Sequence, residues 1–71
     1  MNKRLLTSTV VETLGRNGAL YLKDLYKQVK KIHGEAEEGA FEESVMVMEL
    51  QGLVRVYKMP RGKMKVELTK G

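Results

Sequence analysis

The sequence predicts a small α+β domain in which three helices precede a β-hairpin. Two observations lead to this fold class. Before Gly52 the apolar residues recur at spacings of three and four, which is typical of amphipathic helices. After Gly52 apolar residues alternate with charged ones, which is typical of half-buried strands. With 71 residues the chain is long enough for one domain, over 1–71, with one small core.

The first helix is predicted over about 7–17. Thr7 or Ser8 is a suitable capping residue, and apolar residues follow at helical spacing. Leu5 and Leu6 precede this cap, and they either extend the helix or pack beneath it. An Asn-Gly pair ends the helix, because both residues tolerate the left-handed conformation found there.

A short extended bridge over 19–21 leads into a second helix, predicted over about 22–33. Its start lacks a good capping residue, and a glycine ends it. Leu25, Val29 and Ile32 are predicted to lie on one face of this helix, and Lys23, Lys27 and Lys30 on another.

The third helix is predicted over about 39–51, with Phe41, Val45 and Met48 facing the core. It ends at Gly52, since glycine readily adopts the left-handed conformation that follows a helix. The side chains that would then face outward are Glu42, Glu43, Met46, Val47 and Leu50.

A basic β-hairpin is predicted over 53–69. Its two runs of alternating residues are separated by Met59-Pro60-Arg61-Gly62, which carries the residue types of a tight turn. Between Arg55 and Lys65 every charged residue is basic. This exceeds what solubility requires and points to an anionic partner for the hairpin.

Two segments of the sequence follow a known pattern. One is Phe41-x-x-Ser44-Val45-x-x-Met48-x-x-x-Gly52-Leu53-Val54, and the other is the ending Val66-Glu67-Leu68-Thr69-Lys70-Gly71. Together with the element order, they resemble the winged-helix DNA-binding fold along nearly the whole chain. The first segment is similar to the third helix and first wing strand of that fold. The ending is similar to the second wing strand of small prokaryotic transcription regulators of the multiple-antibiotic-resistance type, in which a dimerisation helix normally follows.

The charges are segregated in a way that conflicts with the usual function of this fold. Every charged residue between Glu35 and Glu49 is acidic, whereas the segments on both sides are basic and the net charge is +4. In the fold that the chain resembles, the outward side of the third helix enters the major groove of DNA. Carboxylates there would be repelled by phosphates, and apolar side chains would contact base edges poorly. We therefore do not expect this helix to read DNA.

The leading prediction is a non-enzymatic DNA-binding protein, a transcription regulator or a chromatin-like protein, whose basic elements hold double-stranded DNA. Lysines of the second helix and of the hairpin would contact phosphates, and the resemblance implies that Arg61 at the hairpin tip enters a minor groove. A solvated helix face explains the lysines of the second helix equally well. The candidate nucleic-acid-binding residues are Lys23, Lys27, Lys30, Lys31, Arg55, Lys58, Arg61, Lys63 and Lys65.

The alternative prediction is a protein–protein interaction module that uses the third helix. Met46, Val47 and Leu50 would form an apolar patch with an acidic border, and patches of this kind mark interfaces. Three coverings of the patch are open at this point: a protein partner, a second copy in a homodimer, or the chain's own Leu5 and Leu6.

Composition argues against other classes of protein. Without cysteine, neither a disulfide nor a thiolate metal site can form, and the lone His33 provides no metal site. No nucleophile–base pattern or Gly-rich phosphate loop is recognisable, so we expect no enzyme and no cofactor. No apolar run suits a membrane span or a signal peptide, so the expected location is cytoplasmic, with the nucleoid if DNA is bound. Tyr21, Tyr26 and Tyr57 are interpreted as edge-of-core residues rather than base-stacking platforms.

Overall fold

The computed structural model describes residues 3–69. They form three α-helices and a three-stranded antiparallel sheet, which confirms the predicted fold class and has the layout of a winged-helix-like domain. Lys70 and Gly71, which close the ending that resembles a wing strand, lie outside the described residues. In chain order the elements are α1 (Lys3–Asn17), β1 (Leu20–Tyr21), α2 (Leu22–Ile32), α3 (Glu38–Leu50), β2 (Val54–Lys58), a 3-10 turn (Pro60–Gly62) and β3 (Met64–Leu68).

The sheet has the strand order β1-β3-β2, so β3 lies in the middle and pairs antiparallel with both neighbours. Val66 of β3 lies opposite Leu20 of β1 and opposite Val56 of β2. Because residues directly opposite each other share a face of the sheet, these three form an apolar row that packs on the core. The predicted bridge is therefore a strand, and it joins the hairpin to the helices.

All three helices and the hairpin contribute to a single core. Phe41 of α3 is fully buried, and its ring centroid lies 5.3 Å from that of Tyr26 in α2. The Tyr26 hydroxyl donates a hydrogen bond to the Ala36 carbonyl oxygen at 2.7 Å, which holds the connection between α2 and α3. The buried residues of the core cluster are Leu6, Val10, Leu14, Leu25, Val29, Phe41, Val45, Met48, Val54 and Val66.

Helix α1 begins earlier than the sequence predicts, so Thr7 and Ser8 lie inside the helix rather than at its cap. The reason is the burial of Leu6, which lies four residues before Val10 and continues the apolar side of the helix. Burying a leucine contributes about 1.5–3 kcal/mol, more than a capping side chain usually does. Leu6 therefore extends the helix into the core, while its neighbour Leu5 is exposed.

The apolar face of α2 extends beyond the core: Leu25 and Val29 are buried, whereas Ile32 is 58% exposed. Helix α2 ends at Ile32, where the His33 N–H donates to the Val29 carbonyl oxygen at 2.8 Å and the chain turns. Buried Ala36 occupies this end of the core instead. The ends of α2 and α3 otherwise lie within one residue of the predicted ones.

Gly52 ends α3 as predicted, through two backbone hydrogen bonds. The φ angle of Gly52 is 79°, its N–H donates to the Glu49 carbonyl oxygen at 3.0 Å, and the Leu53 N–H donates to the Met48 carbonyl oxygen at 2.9 Å. This Schellman arrangement satisfies carbonyl groups at the end of the helix. The Thr69 hydroxyl donates to the Gly52 carbonyl oxygen at 2.5 Å, so the end of the hairpin is attached to the end of α3.

Truncation of Leu6 tests whether the first turn of α1 belongs to the core. We expect Leu6→Ala to lower the free energy of unfolding by about 2–5 kcal/mol, because it removes a buried side chain and leaves a cavity. Ile32→Ala is the control at an exposed position and is expected to change this free energy by less than about 0.5 kcal/mol. Urea unfolding followed by circular dichroism measures both. Similar effects of the two substitutions would contradict the position of Leu6.

Replacing the glycine at either end of α3 with alanine is expected to change the free energy of unfolding in opposite directions. Gly52→Ala is expected to lower the free energy of unfolding by about 1 kcal/mol, because a non-glycine residue is strained at a positive φ. Gly39 lies inside α3 with no atom within 4 Å of an added Cβ, so Gly39→Ala is expected to add about 0.4–1 kcal/mol of stability. The urea midpoint of the unchanged protein should lie between those of the two variants. Any other order would contradict the positions of Gly39 inside α3 and of Gly52 at its end.

Candidate nucleic-acid interface

The face of the sheet away from the core carries aromatic and basic side chains together. In the middle strand, Lys65 lies opposite Tyr21 of β1 and opposite Tyr57 of β2. These three residues share one face, and strand alternation directs them away from the buried row that contains Val66. Both tyrosines are exposed, so they lie on the solvent side of the sheet and not at the edge of the core as the sequence suggested.

Two lysines of the hairpin converge on Tyr21. The Nζ atom of Lys63 lies 5.3 Å from the centroid of the Tyr21 ring, and that of Lys65 lies 5.5 Å from it. An ammonium group over an aromatic ring is attracted by the ring's quadrupole, by about 0.5–1 kcal/mol at an exposed site. The ring therefore holds together two positive charges that would otherwise repel each other.

Tyr21 also immediately precedes α2, so these charges lie at the start of that helix. No side chain caps this helix start, as the sequence predicts, and the first N–H groups of a helix have no partner within it. Lys23 adds a positive charge in the first turn, which Asp24 in the same turn partly offsets. We refer to Tyr21, Lys23, Lys63 and Lys65 as the Tyr21 cluster.

Two further basic residues predicted on the hairpin lie outside the Tyr21 cluster. Arg55 lies opposite Glu67, which offsets its charge and accepts a hydrogen bond from the Tyr57 hydroxyl at 3.0 Å. By strand alternation, Lys58 points to the face of the hairpin opposite to that of Arg55. The structure therefore divides the predicted basic residues of the hairpin between two faces.

The lysines of α2 recur at spacings of three and four, so they lie along one side of the helix. Lys30 is near the acidic connection between α2 and α3: its Nζ atom lies 5.7 Å from the Tyr26 ring centroid, and the Tyr26 hydroxyl binds Ala36 of that connection. From Lys23 to Lys30 the helix rises about 10 Å, so only its first turn is next to the hairpin lysines. The predicted α2 residues outside the Tyr21 cluster are Lys27, Lys30 and Lys31.

The tip of the hairpin is a three-residue loop, Pro60–Gly62, closed by a hydrogen bond from the Met59 N–H to the Lys63 carbonyl oxygen at 2.7 Å. Arg61 has a φ of 67° and Gly62 a φ of 72°. The left-handed conformation costs a non-glycine residue about 1–2 kcal/mol. Arg61 is exposed at this tip, where the sequence places it.

The outward side of α3 is apolar and acidic, as the sequence predicts. Met46 is 63% exposed, Val47 45% and Leu50 87%. The alternative in which Leu5 and Leu6 cover this patch does not hold, because Leu6 is buried in the core and Leu5 is itself exposed. Among the described residues the patch is therefore open to solvent.

A groove of about 660 Å³ runs between α1 and α3, beside this patch. Val47 supplies apolar surface to it, Glu43 supplies a carboxylate, and Lys3 and Arg4 supply basic groups. The residues that line it are Lys3, Arg4, Thr7 and Ser8 of α1 and Ala40, Glu43, Ser44, Val47, Met48 and Gln51 of α3.

The lone histidine has a structural contact, since a hydrogen bond of 2.8 Å between the His33 Nε2 and the Thr9 hydroxyl joins the end of α2 to α1. Among residues 3–69, no three His, Asp or Glu side chains are grouped so that they could hold a metal ion. Within the same part of the chain, no helix has the length and apolar character needed to cross a membrane. Comparisons of the chain with protein-family models, with curated proteins and with solved structures found no match.

Substitutions of Arg61 separate the backbone shape of the hairpin tip from its charge. Arg61→Gly and Arg61→Asn both suit a positive φ, so we expect each to be more stable than Arg61→Ala, by up to about 1 kcal/mol. All three substitutions remove the same charge, so differences among their free energies of unfolding in urea report the conformation of the backbone. Equal stability of the three variants would show that the tip does not keep a positive φ in solution.

Proposed function

We propose that this protein is a non-enzymatic DNA-binding protein that holds double-stranded DNA by its phosphates, through the Tyr21 cluster and the hairpin tip. The observation that carries this proposal is the convergence of Lys63 and Lys65 on the Tyr21 ring at the start of α2. Positive charges gathered in one place neutralise phosphates and release counterions from DNA, which supplies affinity that does not depend on sequence.

The Tyr21 cluster is better suited to binding a phosphate than to being solvated by water alone. Its two hairpin ammonium groups repel each other, and a phosphate between them would relieve this repulsion. The first N–H groups of α2 are free of side-chain caps, and helix starts of this kind bind phosphate oxygens. Charges that serve only solubility are usually interspersed with the opposite sign, whereas the hairpin has no acidic residue between Arg55 and Lys65.

The exposed side of α3 argues against sequence-specific DNA binding by this helix. Its outward Glu, Met, Val and Leu side chains lack the donors that recognise guanine or adenine in the major groove. Arg61 at the hairpin tip supplies a cation that fits a minor groove, where readout is largely A·T against G·C. We therefore propose binding with little sequence dependence, in a chromatin-like or architectural role on the nucleoid.

The two faces of the hairpin allow a matched test of this proposal. We expect Lys63→Ala and Lys65→Ala together to weaken binding to a random duplex at least about tenfold at about 50 mM salt. The slope of log K against log salt should fall by about two, since each phosphate contact contributes about 0.9. Lys58→Ala removes the same kind of charge from the other face and is expected to bind within about twofold of the unchanged protein.

Fluorescence-anisotropy titration of labelled duplexes at about 50 and 200 mM salt measures these effects. A random and an A·T-rich duplex are expected to bind with similar affinity to the unchanged protein. No binding at the lower salt concentration would contradict the proposal, and the basic residues would then be solvated charges. Equal losses in Lys58→Ala and in the double variant would contradict the assignment to the Tyr21 cluster.

A further inference from the structure

Tyr57 carries an accessible aromatic ring on the solvent face of the sheet. The residue is 41% exposed. Within residues 3–69, no other aromatic ring and no ammonium group lies over its ring. The Tyr57 hydroxyl donates a hydrogen bond to Glu67 at 3.0 Å, which fixes the polar end of the side chain. A ring that is already oriented loses little conformational entropy when a flat ligand stacks on it.

Tyr21, the other exposed ring of this face, has different neighbours. The ammonium groups of Lys63 and Lys65 lie 5.3 and 5.5 Å from its centroid, so a flat ligand would have to displace them. Lys65 is thereby turned toward Tyr21 and away from Tyr57, which lies on its other side in the sheet. The face therefore has a cationic part at Tyr21 and an open aromatic part at Tyr57.

These two parts are close enough for one nucleic-acid strand to contact both. Lys65 lies directly opposite Tyr21 on one neighbouring strand and directly opposite Tyr57 on the other. The Cβ atoms of residues that are directly opposite each other lie about 4.5–5.5 Å apart. A strand whose phosphate lies at Lys65 therefore has a base within reach of the Tyr57 ring.

The charges of this face favour a phosphate at the lysines and a base at Tyr57. On the hairpin, the face carries Arg55, Lys63 and Lys65 as basic residues and Glu67 as an acidic one. Glu67 lies opposite Arg55, which offsets its charge, and it accepts the hydrogen bond from Tyr57. A carboxylate next to the ring repels a phosphate there but does not repel an uncharged base.

Duplex DNA cannot use the Tyr57 ring in this way, because its bases are paired and stacked on one another. The bases of a single strand are free to stack on aromatic side chains, and sheets with exposed aromatic residues bind single strands by such stacking. We propose that the solvent face of the sheet binds single-stranded DNA, with a base stacked on Tyr57 and the adjacent phosphate at Lys63 and Lys65. This inference rests on the proposed function for its phosphate contacts, and it adds that the domain holds a strand where a duplex opens.

The first test compares two labelled oligomers of about ten nucleotides, oligo(dU) and an abasic oligomer of the same length. Both carry the same phosphates, so a difference in affinity reports the bases. In anisotropy titrations with the full chain, oligo(dU) is expected to bind at least about tenfold more tightly than the abasic oligomer. Oligo(U), which adds only the 2′-hydroxyls, is expected to bind no more tightly than oligo(dU), because the stacked ring contacts the base alone.

Substitutions of Tyr57 test which residue supplies the stacking. Tyr57→Ala is expected to weaken oligo(dU) binding about tenfold, whereas Tyr57→Phe keeps an aromatic ring and is expected to stay within about threefold of the unchanged protein. Neither variant should change the affinity for the abasic oligomer or for a random duplex by more than about twofold. Retained duplex binding also shows that the hairpin of the variant is folded.

A fluorescent reporter tests the contact itself. The chain contains no tryptophan, so Tyr57→Trp introduces a single one at the proposed stacking position. Oligo(dU) is expected to quench its emission, and the abasic oligomer is not. Leu50→Trp is the matched control, because Leu50 is 87% exposed on α3, and its emission is expected to change with neither oligomer.

Equal affinity for oligo(dU) and the abasic oligomer would overturn the inference, and so would equal quenching of Tyr57→Trp and Leu50→Trp. Tighter binding of oligo(U) than of oligo(dU), by tenfold or more, would also overturn it, because the preferred strand would then be RNA. The proposed function fails separately. If duplexes do not bind while oligo(dU) binds and depends on Tyr57, duplex binding is overturned and the stacking at Tyr57 is supported.

Discussion

The position of β3 between β1 and β2 is the constraint on which the rest of the structure depends. Val66 is fully buried in this middle strand and lies opposite Leu20 and Val56, so one apolar row aligns the bridge strand, the hairpin and the helices. Strand alternation then places Lys65 on the other face, opposite Tyr21. The burial of the apolar row therefore also determines where the basic cluster forms.

Charge divides the remaining surface into two parts with opposite preferences. The lysines gathered around Tyr21 attract phosphates, whereas the glutamates of α3 repel them and attract cations. Repulsion can contribute as much to specificity as attraction does. On the function we propose, DNA binds at the basic cluster and is repelled from the outward side of α3.

Much of the fold could be predicted because it depends on residues that are close in the chain. The two sides of α3 follow from helical spacing, and Gly52 ends the helix by a local hydrogen-bond arrangement. The errors lie at helix ends. The apolar pattern continues through Ile32 although the core does not, and a good cap at Thr7 was outweighed by the burial of Leu6. How far the core extends past a helix end depends on the neighbouring elements.

By itself, the sequence determined the elements and their order, the inward side of α3 and the separation of acidic from basic segments. Each of these depends on spacing along a short stretch of chain. Only the tertiary structure decided which basic residues act together. Tyr21 and Lys65 lie far apart in the chain and meet because β1 pairs with the middle strand, while Lys58 is directed to the other face. The physical reason is that distant segments are brought together by the core they share, which no local pattern records.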